Sequence, residues 1–103
     1  MPRKKCIRYI NSSPRATFYK PAGVPLRQLE IVEIELDEYE AIRLADLEGL
    51  YQVDAARKMN ISRQTFGRIL IEAHRKIAEA LISGKSIKIR NSIENQKEEK
   101  KDD

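Results

Sequence analysis

The side chains best suited to molecular recognition in this chain of 103 residues lie on one side of the segment Ser62–Ile82. If Phe66 marks the buried side of a helix and each residue advances about 100°, then Gln64, Arg68 and Ile71 lie on the opposite side. An amide and a guanidinium pair with adenine and guanine in the DNA major groove, and an aliphatic group contacts the thymine methyl. The residues predicted to contact bases are Arg63, Gln64, Thr65, Arg68 and Ile71.

The segment that precedes this helix has the features of a helix-turn-helix, whose second helix enters the major groove. Ala55, Ala56 and Met59 are spaced as the inner face of a first helix. Asn60 suits a turn in the left-handed conformation, and Ser62 is a favourable N-cap for the second helix. The alternative is a helical hairpin that only packs a core. The basic residues on its outer side favour nucleic-acid binding.

A second group of polar residues is placed to meet the DNA backbone, which positions a protein without reading sequence. The residues predicted to contact phosphates are Gln52, Arg57, Lys58, Ser62, Arg75 and Lys76. The basic N-terminal arm offers Arg3, Lys4 and Lys5 to the minor groove. Fraying of this arm in solution is the alternative.

Charge is distributed unevenly along the chain, whose net charge is +4. Residues 1–20 carry basic side chains and no acid, residues 30–48 are strongly acidic, and residues 57–90 are again basic. This segregation predicts one face for a polyanion and another turned away from it. Ordinary solvated charge is the alternative, but the basic blocks coincide with the proposed recognition helix.

Enzymatic chemistry and membrane insertion find little support in the residues. Cys6 is the only cysteine and His74 the only histidine, so an intrachain disulfide and a cysteine-rich zinc site are excluded. Nothing marks the two as a catalytic pair, and we expect no enzyme activity, no metal and no cofactor. No apolar run approaches a membrane span or a secretory signal, which predicts a cytoplasmic protein. No feature indicates a small-molecule effector.

The remaining pattern predicts a mainly α fold, a tri-helical helix-turn-helix domain with a small two-stranded β element. Alternation of apolar residues predicts strands at Ile31–Leu36 and Ser86–Arg90. Pairing of these strands would set basic side chains opposite acidic ones, namely Lys88 and Arg90 with Glu33 and Glu35.

Between the strands, Asp37 is predicted to cap a helix with Glu40 as its capping-box partner, and Gly49 to end that helix. Its expected core-facing residues are Tyr39, Ile42, Ala45 and Leu47. The expected buried residues of the long helix after Phe66 are Ile69, Leu70, Ala73, Ile77, Ala80 and Leu81. Gly67 is unusual inside a helix; close approach of DNA or packing against another element would explain it.

Three regions follow from composition. Residues 1–25 form a basic arm with a Pro/Gly turn and a short strand near Ile7–Ile10. Residues 26–90 form the helix-turn-helix domain. Residues 91–103 form a charged tail without apolar periodicity, which predicts disorder.

The blocks KPAG, RLADLEG and SRQTFGRIL, within residues 3–90, resemble a family of small prokaryotic proteins that are predicted to bind DNA and have no characterised function. Their helix-turn-helix is similar to sigma factor region four. The resemblance implies a tri-helical DNA-binding domain, no known catalytic activity, and major-groove binding by the helix that begins at Ser62. It does not imply sigma activity.

We therefore expect a sequence-specific double-stranded DNA-binding protein that regulates transcription. Binding of RNA or of nucleic acid in general, and docking on the transcription machinery through protein contacts, are the alternatives. A homodimer on a two-fold site is expected, because one such module buries only about 600–1,000 Å² on DNA. The edge of the sheet formed by Ile31–Leu36 and Ser86–Arg90 is one candidate interface, and exposed Ile71 is the other.

Overall fold

In the computed structural model, which describes residues 9–10 and 13–90, helices account for most of the regular structure. The elements in chain order are β1 (Phe18–Tyr19), β2 (Ile31–Ile34), α1 (Leu36–Ile42), α2 (Gln52–Lys58), α3 (Arg63–Ser83) and β3 (Ser86–Ile89). A short 3-10 turn, Leu26–Gln28, precedes β2. The mainly α class is confirmed, whereas the predictions for residues 1–8 and 91–103 lie outside the described residues.

Helix α1 begins earlier than the sequence pattern predicts. Its N-cap is Glu35, whose backbone N–H donates to Glu38 Oε1 at 2.9 Å, and the Glu35 side chain accepts from the backbone of Glu38 in return. The predicted capping box of Asp37 and Glu40 is therefore wrong. The earlier start brings Leu36, expected at the end of a strand, into the first turn of the helix, where it is buried.

The end of α1 is a turn of π-helix, Arg43–Leu47. The backbone N–H of Glu48 donates to Arg43 O at 2.9 Å, and that of Leu50 donates to Leu44 O at 3.0 Å. Gly49 lies between them with φ 75°, a left-handed conformation that favours glycine. The prediction that Gly49 ends this helix is confirmed.

The hydrophobic core joins α1, α2 and α3. Its buried residues are Ala41, Leu44, Ala55, Ala56, Met59, Phe66 and Leu70. The inner face predicted for α2 is thus confirmed, and that of α3 is confirmed at Phe66, Leu70, Ala73 and Ala80, whereas Ile69 and Ile77 are only partly buried. The face predicted for α1 is rotated, because Ala41 and Leu44 are fully buried, Ile42 and Ala45 are only partly buried, and Leu47 is 79% exposed.

The sheet has three strands, in the order β1-β3-β2, rather than the two that we predicted. Strand β1 pairs antiparallel with β3, and it comes from the segment expected to be an arm. Tyr9 and Ile10 lie in no strand, so the short strand expected near them is not formed there. A two-residue strand leaves almost no periodicity in a sequence, and only its partner, about 70 residues later, defines it.

The predicted pairing of the other two strands is confirmed. Strands β2 and β3 run parallel, with Glu33 opposite Lys88. Lys88 Nζ lies 3.9 Å from Glu33 Oε2, and Arg90 Nη1 lies 3.3 Å from Glu35 Oε2. These ion pairs are partly exposed, so each contributes at most about 1 kcal/mol.

Helix α3 is longer than the core that it packs against. Ala73 and Ala80 are buried, but Leu81, predicted on the same side, is 73% exposed. Helix α3 packs against α1, α2 and β2. Gly84 ends the helix with φ 69°.

Candidate nucleic-acid interface

The turn between α2 and α3 has the local geometry that its sequence predicts. Asn60 adopts φ 61°, and it is the only described residue other than glycine with a positive φ. The backbone N–H of Ile61 donates to Ala56 O at 3.1 Å, which closes the turn. Ser62 is the N-cap of α3, and its hydroxyl accepts from the backbone N–H of Thr65 at 3.0 Å. The predicted roles of Asn60 and Ser62 in the backbone are confirmed.

The N-cap continues into a chain of polar contacts along the first turns of α3. Ser62 Oγ donates to Thr65 Oγ1 at 3.0 Å, and Arg68 Nη2 donates to the same Thr65 oxygen at 3.4 Å. Residues at i and i+3 share one face of a helix, which explains this spacing. The guanidinium of Arg68 therefore contacts Thr65, whose hydroxyl is in turn hydrogen-bonded to the N-cap residue Ser62.

The predicted base-contacting residues share the exposed side of α3. Arg63, Gln64 and Arg68 are exposed, Thr65 is half-buried, and Ile71 is 70% exposed. Among the described residues, Arg63 and Arg68 have no acidic partner. The structure thus brings a guanidinium, an amide and a second guanidinium to the surface within the first two turns of the helix.

Helix α2 contributes a second basic edge. Gln52, Arg57 and Lys58 are all exposed. Arg57 Nη1 lies 3.4 Å from Asp54 Oδ1, a long contact on the surface that leaves its charge available. An open groove of about 470 Å³ separates this edge from the start of α3. It is lined by Val53, Ala56, Arg57, Asn60, Ile61, Ser62 and Arg63.

The two other predicted phosphate contacts are engaged within the fold. Lys76 is partly buried and donates to Glu38 Oε1 at 2.9 Å, which joins α3 to the start of α1. Arg75 lies on the surface and forms ion pairs with Glu72 at 2.7 Å and Glu79 at 3.2 Å. The hydrogen bond from Arg75 holds the pKa of the Glu72 carboxyl below its ordinary value. Both cations are therefore neutralised locally, unlike Lys58 and Arg63.

Tight packing does not explain why residue 67 is a glycine. A methyl group built on its Cα would meet only Gln52 Oε1, at 3.5 Å, which is ordinary van der Waals contact. Its φ is not positive, so a side chain would cause no backbone strain. Packing against another element therefore does not explain the glycine in the free protein.

Tyr9, the first residue that the structure describes, is attached beside the α2–α3 turn. The backbone N–H of Tyr9 donates to Met59 O at 3.1 Å, immediately before Asn60. Arg3, Lys4 and Lys5, predicted for the minor groove, lie outside the described residues. They precede Tyr9 by only a few positions in the sequence.

Sequence reasoning missed two buried carboxylates in α1. Glu38 accepts from the backbone of the N-cap Glu35 and pairs with Lys76, and Glu40, 1% exposed, pairs with Arg43 at 2.7 Å. Arg43 also contacts Glu48 at the helix end. The hydrogen bond to Glu40 raises the pKa of Arg43. The acidic block is thus partly internal, and the i, i+3 spacing of Glu40 and Arg43 is the signal that could have indicated it.

The described part of the chain holds neither a candidate metal site nor a candidate membrane span. No group of three or more His, Cys, Asp or Glu side chains in residues 9–10 and 13–90 is arranged to hold a metal ion. No helix in this part of the chain is both long enough and apolar enough to cross a membrane.

A family model described as "Protein of unknown function DUF134" matches residues 1–96. The chain belongs to this family. A UPF0251 protein of Prosthecochloris aestuarii is 50% identical over 97 residues, which are 94% of this chain and 63% of that protein. A UPF0251 protein of Dehalococcoides mccartyi is 48% identical over 93 residues, which are 90% of this chain and 80% of that protein.

A UPF0251 protein of Moorella thermoacetica is 51% identical over 89 residues, which are 86% of this chain and 60% of that protein. The chain therefore spans less than two thirds of the length of two of these DUF134 relatives. No solved structure matches the chain.

Proposed function

We propose that this DUF134 protein binds double-stranded DNA sequence-specifically through α2 and α3, acting as a helix-turn-helix, and that it regulates transcription in the cytoplasm without enzymatic activity. The observation that carries the proposal is the exposed polar side of α3, where Arg63, Gln64 and Arg68 follow directly on a capped turn. A recognition helix reads bases with the residues of its N-terminal turns.

The bases would be read by Gln64 and Arg68, of which Arg68 is already hydrogen-bonded within the fold. Arg68 suits the O6 and N7 acceptors of guanine, and Gln64 suits the N7 and N6 of adenine. Because Arg68 is hydrogen-bonded to Thr65, less side-chain entropy is lost when it binds. Thr65 itself lies on the flank of this stripe and is placed for a secondary contact.

Phosphates would be held mainly by α2 and the start of α3. Gln52 stands at the first turn of α2, where backbone N–H groups also face outward, and Arg57 and Lys58 extend the basic edge. Ser62 and Arg63 lie across the groove between the two helices. Arg75 and Lys76 are secondary in this scheme, because each would first have to give up an acidic partner.

Arg3, Lys4 and Lys5 would add contacts to the DNA beside those of α2 and α3. An extended chain covers at most about 3.3–3.6 Å per residue, so Arg3, Lys4 and Lys5 could reach at most roughly 13–22 Å from Tyr9. That reach, measured from a point beside the α2–α3 turn, is sufficient to enter a minor groove next to the major groove that α3 occupies.

The proposal is tested by selecting bound fragments from a pool of random duplex DNA, with a matched random RNA pool at the same two salt concentrations. A short duplex motif that is enriched at both salt concentrations supports the proposal. Enrichment of RNA alone supports RNA binding instead. Uniform recovery of all duplexes, lost at the higher salt, indicates general electrostatic binding without sequence reading.

A further inference from the structure

The C-terminal half of α3 exposes an apolar strip that the core does not use. Ile71 is 70% exposed and Leu81 is 73% exposed, and Ala78 between them is also exposed. With His74 they recur at intervals of three and four residues. This is the spacing by which one helix packs along another. These four residues are called the α3 strip below.

One flank of the α3 strip is formed by the end of α1. Asp46 Oδ2 lies 2.7 Å from His74 Nε2, and the next residue, Leu47, is 79% exposed. None of the described residues covers the strip itself. Exposed apolar groups that gather in one place mark a contact surface.

We propose that a second copy of this chain covers the α3 strip, with the two α3 helices packed antiparallel about a two-fold axis. Reversing the strip sets Ile71 against Leu81 of the other copy, so that two large aliphatic side chains meet. It also sets His74 against Ala78, the smallest residue, which leaves room for the imidazole ring. A two-fold contact requires this kind of self-complementary pattern.

The distance between half-sites on DNA also favours the antiparallel dimer, and this support rests on the proposed function. The middle of the strip is near residue 76, and Gln64 and Arg68 are centred ten residues earlier, or about 15 Å along the helix. Two antiparallel copies therefore separate their base-contacting residues by about 30 Å. Successive half-sites on one face of DNA lie about 34–36 Å apart.

The antiparallel dimer also places the base-contacting residues of both copies on one side. The mean direction of Gln64 and Arg68 lies about a quarter turn around α3 from the mean direction of the strip, with Ile71 at the edge of the strip nearest to them. A two-fold axis perpendicular to the paired helices keeps this side common to both copies, so both sets of base-contacting residues face the same way. Ile71 then belongs to the dimer contact and not to the base-contacting set.

The sheet edge is the competing interface. Strand β3 is central, so the exposed edges belong to β2 and to the two-residue β1. Ile31 on β2 is 48% exposed. The substitution Ile31→Glu therefore serves as a matched control, because it places the same charge on an exposed apolar position of the sheet edge, outside the α3 strip.

The test is sedimentation of the full chain without DNA, from micromolar to submillimolar concentration. We expect wild type and Ile31→Glu to associate reversibly from the 11.9 kDa monomer to twice that mass. Leu81→Glu should raise the dissociation constant about tenfold or more, because a carboxylate would enter an apolar contact. Circular dichroism verifies that both variants fold.

A wild type that stays monomeric throughout overturns the inference, as does a dimer that only Ile31→Glu disrupts. Binding of duplex DNA is then measured with the same three proteins. A wild-type dimer that binds no duplex contradicts the proposed function and leaves the dimer intact. A wild-type monomer that protects one half-site contradicts the dimer and leaves the proposed function intact.

Discussion

Gly67→Ala separates the folding role of α3 from its proposed DNA-binding role. The added methyl group meets only Gln52 Oε1, at 3.5 Å. The φ of Gly67 is not positive, so alanine fits this backbone conformation without strain. Alanine is favoured over glycine inside a helix by about 0.5–1 kcal/mol, and no steric cost offsets it here. We expect the free energy of unfolding to rise by that amount and the melting temperature to rise by about 2–8 °C.

On DNA the same methyl group should be unfavourable. Gly67 adjoins Gln52, a proposed phosphate contact, so we expect its bare backbone to lie beside the DNA backbone that Gln52 would contact. We expect Gly67→Ala to weaken binding of the selected duplex by about tenfold, which corresponds to about 1.4 kcal/mol. A more stable protein that binds DNA less well is an outcome that misfolding cannot produce.

The assays are urea unfolding followed by circular dichroism and equilibrium binding to a labelled duplex. If Gly67→Ala is no more stable than wild type, the space assigned beside Gly67 is wrong. If it is more stable and binds the duplex as wild type does, close approach of the backbone to DNA is refuted.

Three further substitutions test separate contacts. Arg57→Gln should weaken all duplexes alike and lower the magnitude of the salt slope by about one; an unchanged slope would remove Arg57 from the footprint. Ser62→Ala should lower the free energy of unfolding by about 1 kcal/mol through loss of the α3 cap, measured in urea, and no loss would contradict the capping role. Lys76→Met should cost about 1–3 kcal/mol of stability by leaving Glu38 unpaired, with the salt slope of DNA binding unchanged; a reduced slope would instead assign Lys76 to a phosphate.

The sequence was most informative where structure depends on near neighbours. Asn60 and Ser62 have conformations set by their own chemistry within a few residues, and both were predicted correctly. The charges of Lys88 and Glu33 were sufficient to pair two strands that are distant in the chain.

Prediction was least reliable where several residues of the same kind could fill one structural role. Glu35 and Asp37 are both acidic residues near the start of α1, and burial of Leu36, a tertiary effect, decides between them. Leu81 continues the apolar spacing of α3, but no element of the described fold reaches it. Helical periodicity shows which residues share a face and not how far along the helix that face is covered. The base-contacting and phosphate-contacting residues remain predictions, because their positions agree with DNA binding without testing it.

The most direct test of sequence reading by α3 is a selection from random duplex DNA performed in parallel with wild type and Arg68→Ala. We expect wild type to yield a defined motif, and Arg68→Ala to lose preference at one or two base pairs while keeping the others. Affinity for the wild-type motif should fall by about 1–3 kcal/mol. If Arg68→Ala recovers the wild-type motif with undiminished preference at every position, Arg68 reads no base and the central claim is contradicted.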